Sequence, residues 1–254
     1  MSLSNRIYLF LKKLKVLPPK YYFIGSANFY NSEKKNSILP KRIFYNRKTP
    51  LCKIMEKHGS DKGCFNGIGM HNYTTIYFEL FKKKRNQNIR LFELGIGTTN
   101  SSIIANMGVK GMPGASLRGW RDFFSKGEIY AADIDKKILF NEQRIKTYFC
   151  DQTNKDIIKQ MWSEIDSAIM FDYILDDGLH QFDANLNFFE NSIYRLKENG
   201  IYIVEDIHIN EIDKWDKYIC KNIENYKYLF IRLPNSQNNW DNNLLIVQRH
   251  DEKN

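Results

Sequence analysis

The chain has 254 residues and a net charge of +9, enough for one large α/β domain with an extension. No apolar run approaches the ~18 residues that cross a bilayer, and the start, where Leu, Phe and Tyr mix with Lys, offers no signal-peptide cleavage site. Cys52, Cys64, Cys150 and Cys220 form no CxxC pair, which excludes a zinc knuckle or redox motif and reads as reduced thiols in the cytoplasm. Residues 1–50 hold eleven Lys and Arg against the single acid Glu33, so they carry +10 and residues 51–254 carry −1. The basic excess therefore belongs to an N-terminal arm, and the near-neutral body argues against nucleic acid as a partner.

In chain order, Ile7 to Leu17 mix apolar residues and lysines at helical spacing until Pro18-Pro19 stop the pattern. A short amphipathic helix is expected. Its length favours packing on a partner subunit over a peripheral position at the inner face of a membrane. Residues 20–50 keep no period and read as an irregular arm, exchanged between subunits of a homo-oligomer. The domain then runs from 51 to 254. Leu51–His58 and Tyr73–Arg85 read as helices. The loop between them carries Asp61, Lys62, Gly63 and His71, a candidate lid over a ligand.

Arg90-Leu-Phe-Glu-Leu-Gly-Ile-Gly97 reads as a strand ending in a glycine turn, where backbone can approach a ligand closely. Such a turn after the first strand of a doubly wound fold is the usual nucleoside site. A nicotinamide fingerprint wants a glycine where Asn100 stands and an acid about 20 residues on. Asp133 comes later than that, so a dehydrogenase is disfavoured. Glu128–Asp133 and Ile145–Phe149 are the next strands. Asp133 is placed for ribose hydroxyls and Asp151 for an adenine amino group. Asn154–Ile165 reads as a helix.

Phe171-Asp-Tyr-Ile-Leu-Asp-Asp-Gly-Leu-His180 and Gly200-Ile-Tyr-Ile-Val-Glu-Asp-Ile-His208 are apolar runs that end in acids, as buried parallel strands do when their tips meet a site. Gln181–Leu196 and Glu211–Asn225 read as helices, and Lys227–Leu233 with Asn243–Gln248 as a closing antiparallel pair. Asp176, Asp177, Glu205 and Asp206 would converge on one edge, with His180 a turn away. So many carboxylates repel one another unless a cation or hydrogen-bond donors compensate, and hard oxygen ligands suit Mg²⁺ or Mn²⁺. The residues thus predict a divalent-metal site with a histidine base beside a nucleoside cofactor. Asp176 also reads as a helix-capping acid. An isolated histidine is more often a hydrogen-bonded helix-start residue; its place beside Asp177 gives His180 the functional reading.

Glu93-Leu-Gly-Ile-Gly97, Asp133 and Asp151 at three successive strand ends resemble the class I S-adenosylmethionine (SAM) methyltransferases. The resemblance implies a Rossmann-like, seven-stranded doubly wound sheet with an antiparallel last strand. It places Glu93, Gly95 and Gly97 at the methionine part of the cofactor, Asp133 at the ribose and Asp151 with Gln152 at the adenine. Gly59-Ser-Asp-Lys-Gly63 with His71-Asn-Tyr73, Gly114-Ala-Ser-Leu117 with Trp120, Asp176-Asp-Gly-Leu-His180 and Glu205-Asp206 resemble, more narrowly, the metal-dependent sugar O-methyltransferases of the mycinamicin (macrolide-sugar) type. That likeness covers about residues 55–210. It implies Asp177, Glu205 and Asp206 as metal ligands and His180 as general base paired with Asp177. Asp61, Lys62, Gly63, Ser116 and Asp176 join the cofactor site, and His71, Tyr73 and His208 are substrate contacts. Leu179 departs from the family's usual Ser.

The expected reaction is methyl transfer from SAM to a sugar hydroxyl, with the metal orienting the oxygen and His180 taking its proton. A nucleotide-linked hexose or heptose of a surface polysaccharide is the favoured acceptor. A catechol-type O-methyltransferase leaves the Asp61-Lys62-Gly63 and His71 loop without a purpose. A nucleic-acid N-methyltransferase would want an Asn/Asp-Pro-Pro-aromatic run, which is absent. A non-catalytic SAM-binding module has no need of His180 and three convergent acids.

Overall fold

A computed structural model describes residues 48–63, 71–223, 226–233, 238 and 240–249, with the backbone of 22–24. The expected helix at Ile7–Leu17, most of the irregular arm and the Cys64–Met70 loop lie outside these residues. In chain order the strands are β1 (Tyr22–Ile24), β2 (Arg90–Leu94), β3 (Glu128–Asp133), β4 (Asn141–Glu142), β5 (Ile145–Phe149), β6 (Phe171–Asp176), β7 (Leu196–Val204), β8 (Tyr226–Arg232) and β9 (Asn243–Arg249). The helices are α1 (Pro50–His58), α2 (Thr74–Phe81), α3 (Ala115–Phe123), α4 (Lys155–Ser163), α5 (Phe182–Glu190) and α6 (Ile212–Asn222).

All nine strands join one sheet in the order β1-β8-β9-β7-β6-β2-β3-β5-β4. The seven expected strands are present, with β7, β6, β2, β3 and β5 parallel and β9 antiparallel to both of its neighbours. Two short edge strands, β1 and the two-residue β4, extend it. Tyr22–Ile24 falls in the stretch read as irregular, and its backbone pairs antiparallel with β8 of the same chain.

Alternate residues of each strand feed two cores, because successive side chains point to opposite faces. Leu91, Ile129, Tyr173, Leu175 and Ile203 meet Met55, Tyr77, Phe81 and Trp120 from α1, α2 and α3. Phe92, Tyr130, Phe171, Ile174 and Tyr202 meet Trp162, Phe188 and Trp215 from α4, α5 and α6. Covered on both faces, β6 is buried at every residue. That is why Tyr173-Ile-Leu175 runs apolar without alternation, while Asp172 near its start is paired with Lys84 and Lys197.

Helix ends follow local chemistry. Thr49 caps α1 through its hydroxyl, with Pro50 in the first turn and Gly59 closing it at φ +77°. Asn154 caps α4, accepting from the amides of Asp156 and Ile157. α3 was not anticipated from sequence. Its N-cap is Gly114 at φ +76°, with no side-chain cap, at the end of a loop rich in Gly and Pro. A Cβ at Gly114 would stand 2.6 Å from the Phe140 ring, so the close packing of that ring excludes an ordinary capping side chain. α5 ends at Glu190, well short of Leu196, and a 3₁₀ turn at Ile193–Arg195 follows. Trp162 Nε1 donates to Ser192 Oγ at 2.9 Å in that break. β7 starts at Leu196, four residues before the expected Gly200.

From β2 the chain passes to β3 on one side, while β6 pairs on the other. The crevice beyond the carboxyl ends of these strands is where open α/β sheets bind ligands.

Candidate active site

The tips of β2, β6 and β7 are laced together beyond the strands. Asp177 N–H donates to Leu94 O and Glu205 N–H to Asp176 O, each at 2.9 Å. Gly95 passes so close to β6 that a Cβ would lie 2.0 Å from the carbonyl oxygen of Asp177, and its φ is +94°. Only glycine meets both conditions. Asp133, at the tip of β3, braces the glycine turn: Oδ2 accepts from Ile96 N–H at 2.7 Å and Oδ1 from Asp135 N–H at 2.8 Å. Asp135 in turn accepts from Thr98 Oγ1 at 2.6 Å.

A cavity of about 560 Å³ opens over these tips, within the size range of small-molecule sites. Its wall includes Asp61, Lys62, His71, Gly95, Gly97, Ser116, Asp133, Asp151, Gln152, Asp177, His180 and Asp206. The other predicted residues do not line it. Gly63 pairs with Asn72 in an isolated bridge. Asp176 is fully buried and accepts from Gln152 Nε2. His208 accepts from Asn210 N–H at the start of a 3₁₀ turn. Glu93, Glu205 and Tyr73 sit behind the wall.

Lys62 organises the acids from beneath. It is 2% exposed, and its Nζ lies 2.6 Å from Asp177 Oδ2, 2.8 Å from Glu205 Oε2 and 3.3 Å from Glu93 Oε1. Burial works against its charge, but Asp177, Glu205 and Glu93 outweigh that and hold it protonated. Burial raises the pKa of Glu205 and Asp177 despite Lys62. Glu93 is pushed by burial to about 7, and Trp120 Nε1 donates to its Oε2 at 2.6 Å. Oε1 of Glu205 is buried without a hydrogen-bond partner, and Oε1 of Glu93 faces only the Lys62 ammonium.

Asp206 is held from the other side. Tyr73 OH donates to its Oδ1, and His71 Nδ1 lies 3.0 Å from the same oxygen. Burial opposes its ionisation, yet His71 and His180, with the His71 and Tyr73 hydrogen bonds, bring it well below the usual carboxylate range. Burial lowers His71, and Asp206 more than reverses this, raising its pKa to about 9. His180 Nε2 faces Asp206 Oδ2 at 3.7 Å. His180 and Asp206 both adopt left-handed backbone conformations, φ +57° and +53°. Non-glycine residues hold such angles at some cost, and functional sites are where they cluster.

Among the described residues, Asp177, His180 and Asp206 form the one group whose ligand atoms lie within 4.8 Å of one another. The expected trio of Asp177, Glu205 and Asp206 is arranged differently: Glu205 stands beside the cluster on Lys62. Lys62, expected at the cofactor, spends its ammonium on carboxylates. Two of its partners, Asp177 and Glu205, are 115 and 143 residues away, beyond the reach of any local motif. Thr98, which braces the glycine turn through Asp135, belongs to no recognisable signal, and Ile96, inside the glycine motif, acts through its backbone N–H, which any residue there would supply.

The strand order, the glycine turn after β2 and the acid at the tip of β3 define the Rossmann-like fold of the class I SAM-dependent methyltransferases. No family model matches the chain. It is similar to sugar O-methyltransferases. The identity is 30% over 157 residues to the 8-demethyl-8-alpha-L-rhamnosyl tetracenomycin-C 2'-O-methyltransferase of Streptomyces olivaceus, covering 62% of this chain and 37% of that protein. It is 29% over 161 residues to the mycinamicin VI 2''-O-methyltransferase of Micromonospora griseorubida, covering 63% and 37%. The match thus spans little more than a third of these relatives' length. Among solved structures, the MycE methyltransferase of the mycinamycin biosynthetic pathway, in complex with Mg and SAH, superposes with TM-score 0.59 at 23% identity, over 80% of this chain and 55% of that one. A MycE complex that also holds mycinamycin VI gives 0.58 at 22% identity, over the same shares. These two share the fold.

Proposed function

We propose that this chain is a SAM-dependent, divalent-metal-dependent O-methyltransferase acting on a sugar hydroxyl, with a nucleotide-linked hexose or heptose for a surface polysaccharide as acceptor. The observation that carries the reading is the grouping of Asp177, His180 and Asp206 at two adjacent strand tips, facing the same cavity as the glycine turn. The sugar O-methyltransferases among its relatives support the reaction class.

The residues suit both groups the reaction requires. The carboxylates of Asp177 and Asp206 offer hard donors for Mg²⁺ or Mn²⁺, the buried Oε1 of Glu205 lies at the same strand tip, and His180 stands beside them as the base rather than as a ligand. Gly95 and Gly97 open the turn for the methionine part of SAM. Each Asp133 oxygen accepts one backbone amide and keeps a lone pair for a ribose hydroxyl. Asp151 flanks the adenine end, where Gln152 lines the cavity with its amide turned to Asp176 and Leu179. When bound, SAM supplies a methyl carbon on a sulfonium, and a divalent ion supplies charge that orients a hydroxyl and lowers its pKa.

The chain's own residues position and deprotonate. The imidazole of His180 accepts the hydroxyl proton as the oxygen attacks the methyl carbon. Asp206, kept ionised by His71 and Tyr73, faces that imidazole and stabilises its charged form. Lys62 holds Asp177 and Glu205 in place from beneath. The walls aim the hydroxyl in line with the donor.

The test is transfer of labelled methyl from SAM to a panel of nucleotide-linked sugars, with RNA and catechols alongside. Label in a sugar is the expected result. Label in a catechol or RNA alone would replace the sugar reading, and SAM binding without transfer to any acceptor would favour a binding module.

A further inference from the structure

Gln152 stands just past the end of β5. In the sheet, β5 and β6 are separated by β3 and β2. Even so, the Gln152 side chain crosses above those tips and grips the β6–α5 loop at two points. Its Nε2 donates to both carboxylate oxygens of Asp176, at 2.8 and 2.9 Å. Its Oε1 accepts from Leu179 N–H at 2.7 Å. The backbone carbonyl of the same residue accepts from Asn187 Nδ2, on α5, at 2.8 Å. Chemistry fixes which way the amide faces: a flipped amide would set its NH₂ against the Leu179 N–H and its oxygen against a carboxylate. Gln152 is 6% exposed and Asp176 fully buried, so no solvent competes for these bonds.

Gly178 is shaped to this contact. A Cβ there would lie 2.3 Å from Gln152 Oε1, and Gly178 is not among the glycines at positive φ. Its missing side chain is therefore explained by the approach of the amide rather than by backbone conformation. The gripped segment runs through Asp177 to His180, whose φ of +57° needs support from its surroundings. Leu179, whose N–H the amide captures, immediately precedes it.

We infer that Gln152 is a positioning residue that ties the cofactor end of the cavity to the loop bearing Asp177 and His180. Cys150, Asp151 and Thr153 line the cavity with it, while its amide sets the aim of His180. The kinetic consequence rests on the proposed methyl transfer; the grip on the loop does not. Gln152→Met keeps the length and removes both bonds. Gly178→Ala keeps Gln152 and displaces its oxygen.

In the full chain, both variants should speed hydrogen exchange at the Leu179 amide by about tenfold or more, with β6 amides unchanged. In the transfer assay, kcat should fall about tenfold or more while the KM for SAM and the affinity for SAH stay within about threefold. A general loss of folded protein would move these quantities together. Unchanged Leu179 exchange in Gln152→Met overturns the inference, as does kcat that is unchanged or falls in step with SAH affinity. If Gln152→Met does not fold, Gly178→Ala carries the same test. If the parent chain methylates no sugar, the functional reading fails, and the exchange measurement still decides whether Gln152 holds the loop.

Discussion

Replacing Lys62 with Met removes the one ammonium within ion-pair distance of Asp177, Glu205 and Glu93 among the described residues. All but 3% of its side chain is buried, and Glu93 and Glu205 are 0% and 1% exposed, so water cannot replace it. Taking one partner from a buried ion pair costs about 3–5 kcal/mol, mostly as the charge left behind. For a domain of this size, each 1 kcal/mol shifts Tm by ~2–4 °C, so a fall of about 6–20 °C is expected. The acids have an escape, because they can take up protons. Glu93 already titrates near 7 through burial, and losing Lys62 raises all three further. An acid whose folded-state pKa is raised destabilises the fold once pH exceeds its unfolded value, and increasingly until the folded pKa is passed. The deficit of Lys62→Met should therefore be large at pH 8 and shrink toward pH 5. The assay is denaturant unfolding in EDTA at several pH values. A loss under about 1 kcal/mol at pH 8, or one independent of pH, would refute the view that Lys62 is the counter-ion of these acids.

Three further outcomes follow from the same geometry. His180→Ala should lower turnover by about 10² or more while SAH binding persists; unchanged turnover, measured with saturating SAM, removes His180 from the reaction. Gly95→Ala would drive a Cβ to 2.0 Å from backbone oxygen at Asp177. Displacing that tip by on the order of 1 Å should cost about 10²-fold in turnover, and near-normal kinetics would mean the two tips are not in contact. For His71, a folded pKa raised from 6.5 to about 9 gives stability that is complete below the unfolded value and lost as pH climbs through 9. That is about 3 kcal/mol, to be read in EDTA as a difference from His71→Gln; a difference flat with pH would show that the His71–Asp206 pair is not formed.

The strands were legible because burial on both faces makes residues 173–175 of β6 and 201–204 of β7 apolar up to the site, where acids begin abruptly; Lys197, Glu198 and Asn199, polar at the start of β7, hid where that strand begins. The glycine turn was legible because Gly95 and Gly97 stand directly after an apolar run, although the contact that requires Gly95, with the Asp177 carbonyl, lies on another strand. What lay hidden is non-local or lacks a signal. α3 starts on Gly114, pressed on Phe140, and shows no capping residue. Lys62 looks like a loop lysine until folding sets it under the tips of β2, β6 and β7. The resemblance puts Gln152 with Asp151 at the adenine, and no sequence pattern shows that both ends of its amide are engaged by Asp176 and Leu179. The placement of Glu205 on Lys62, rather than in the Asp177–His180–Asp206 group, likewise depends on a lysine more than 100 residues away.

The most direct measurement is methyl transfer from labelled SAM to nucleotide-linked sugars in EDTA, repeated after Mg²⁺ or Mn²⁺ is returned. The account predicts loss of transfer with the chelator and recovery with the ion. Full transfer in EDTA would contradict it and leave Asp177 and Asp206 as hydrogen-bond partners of the sugar.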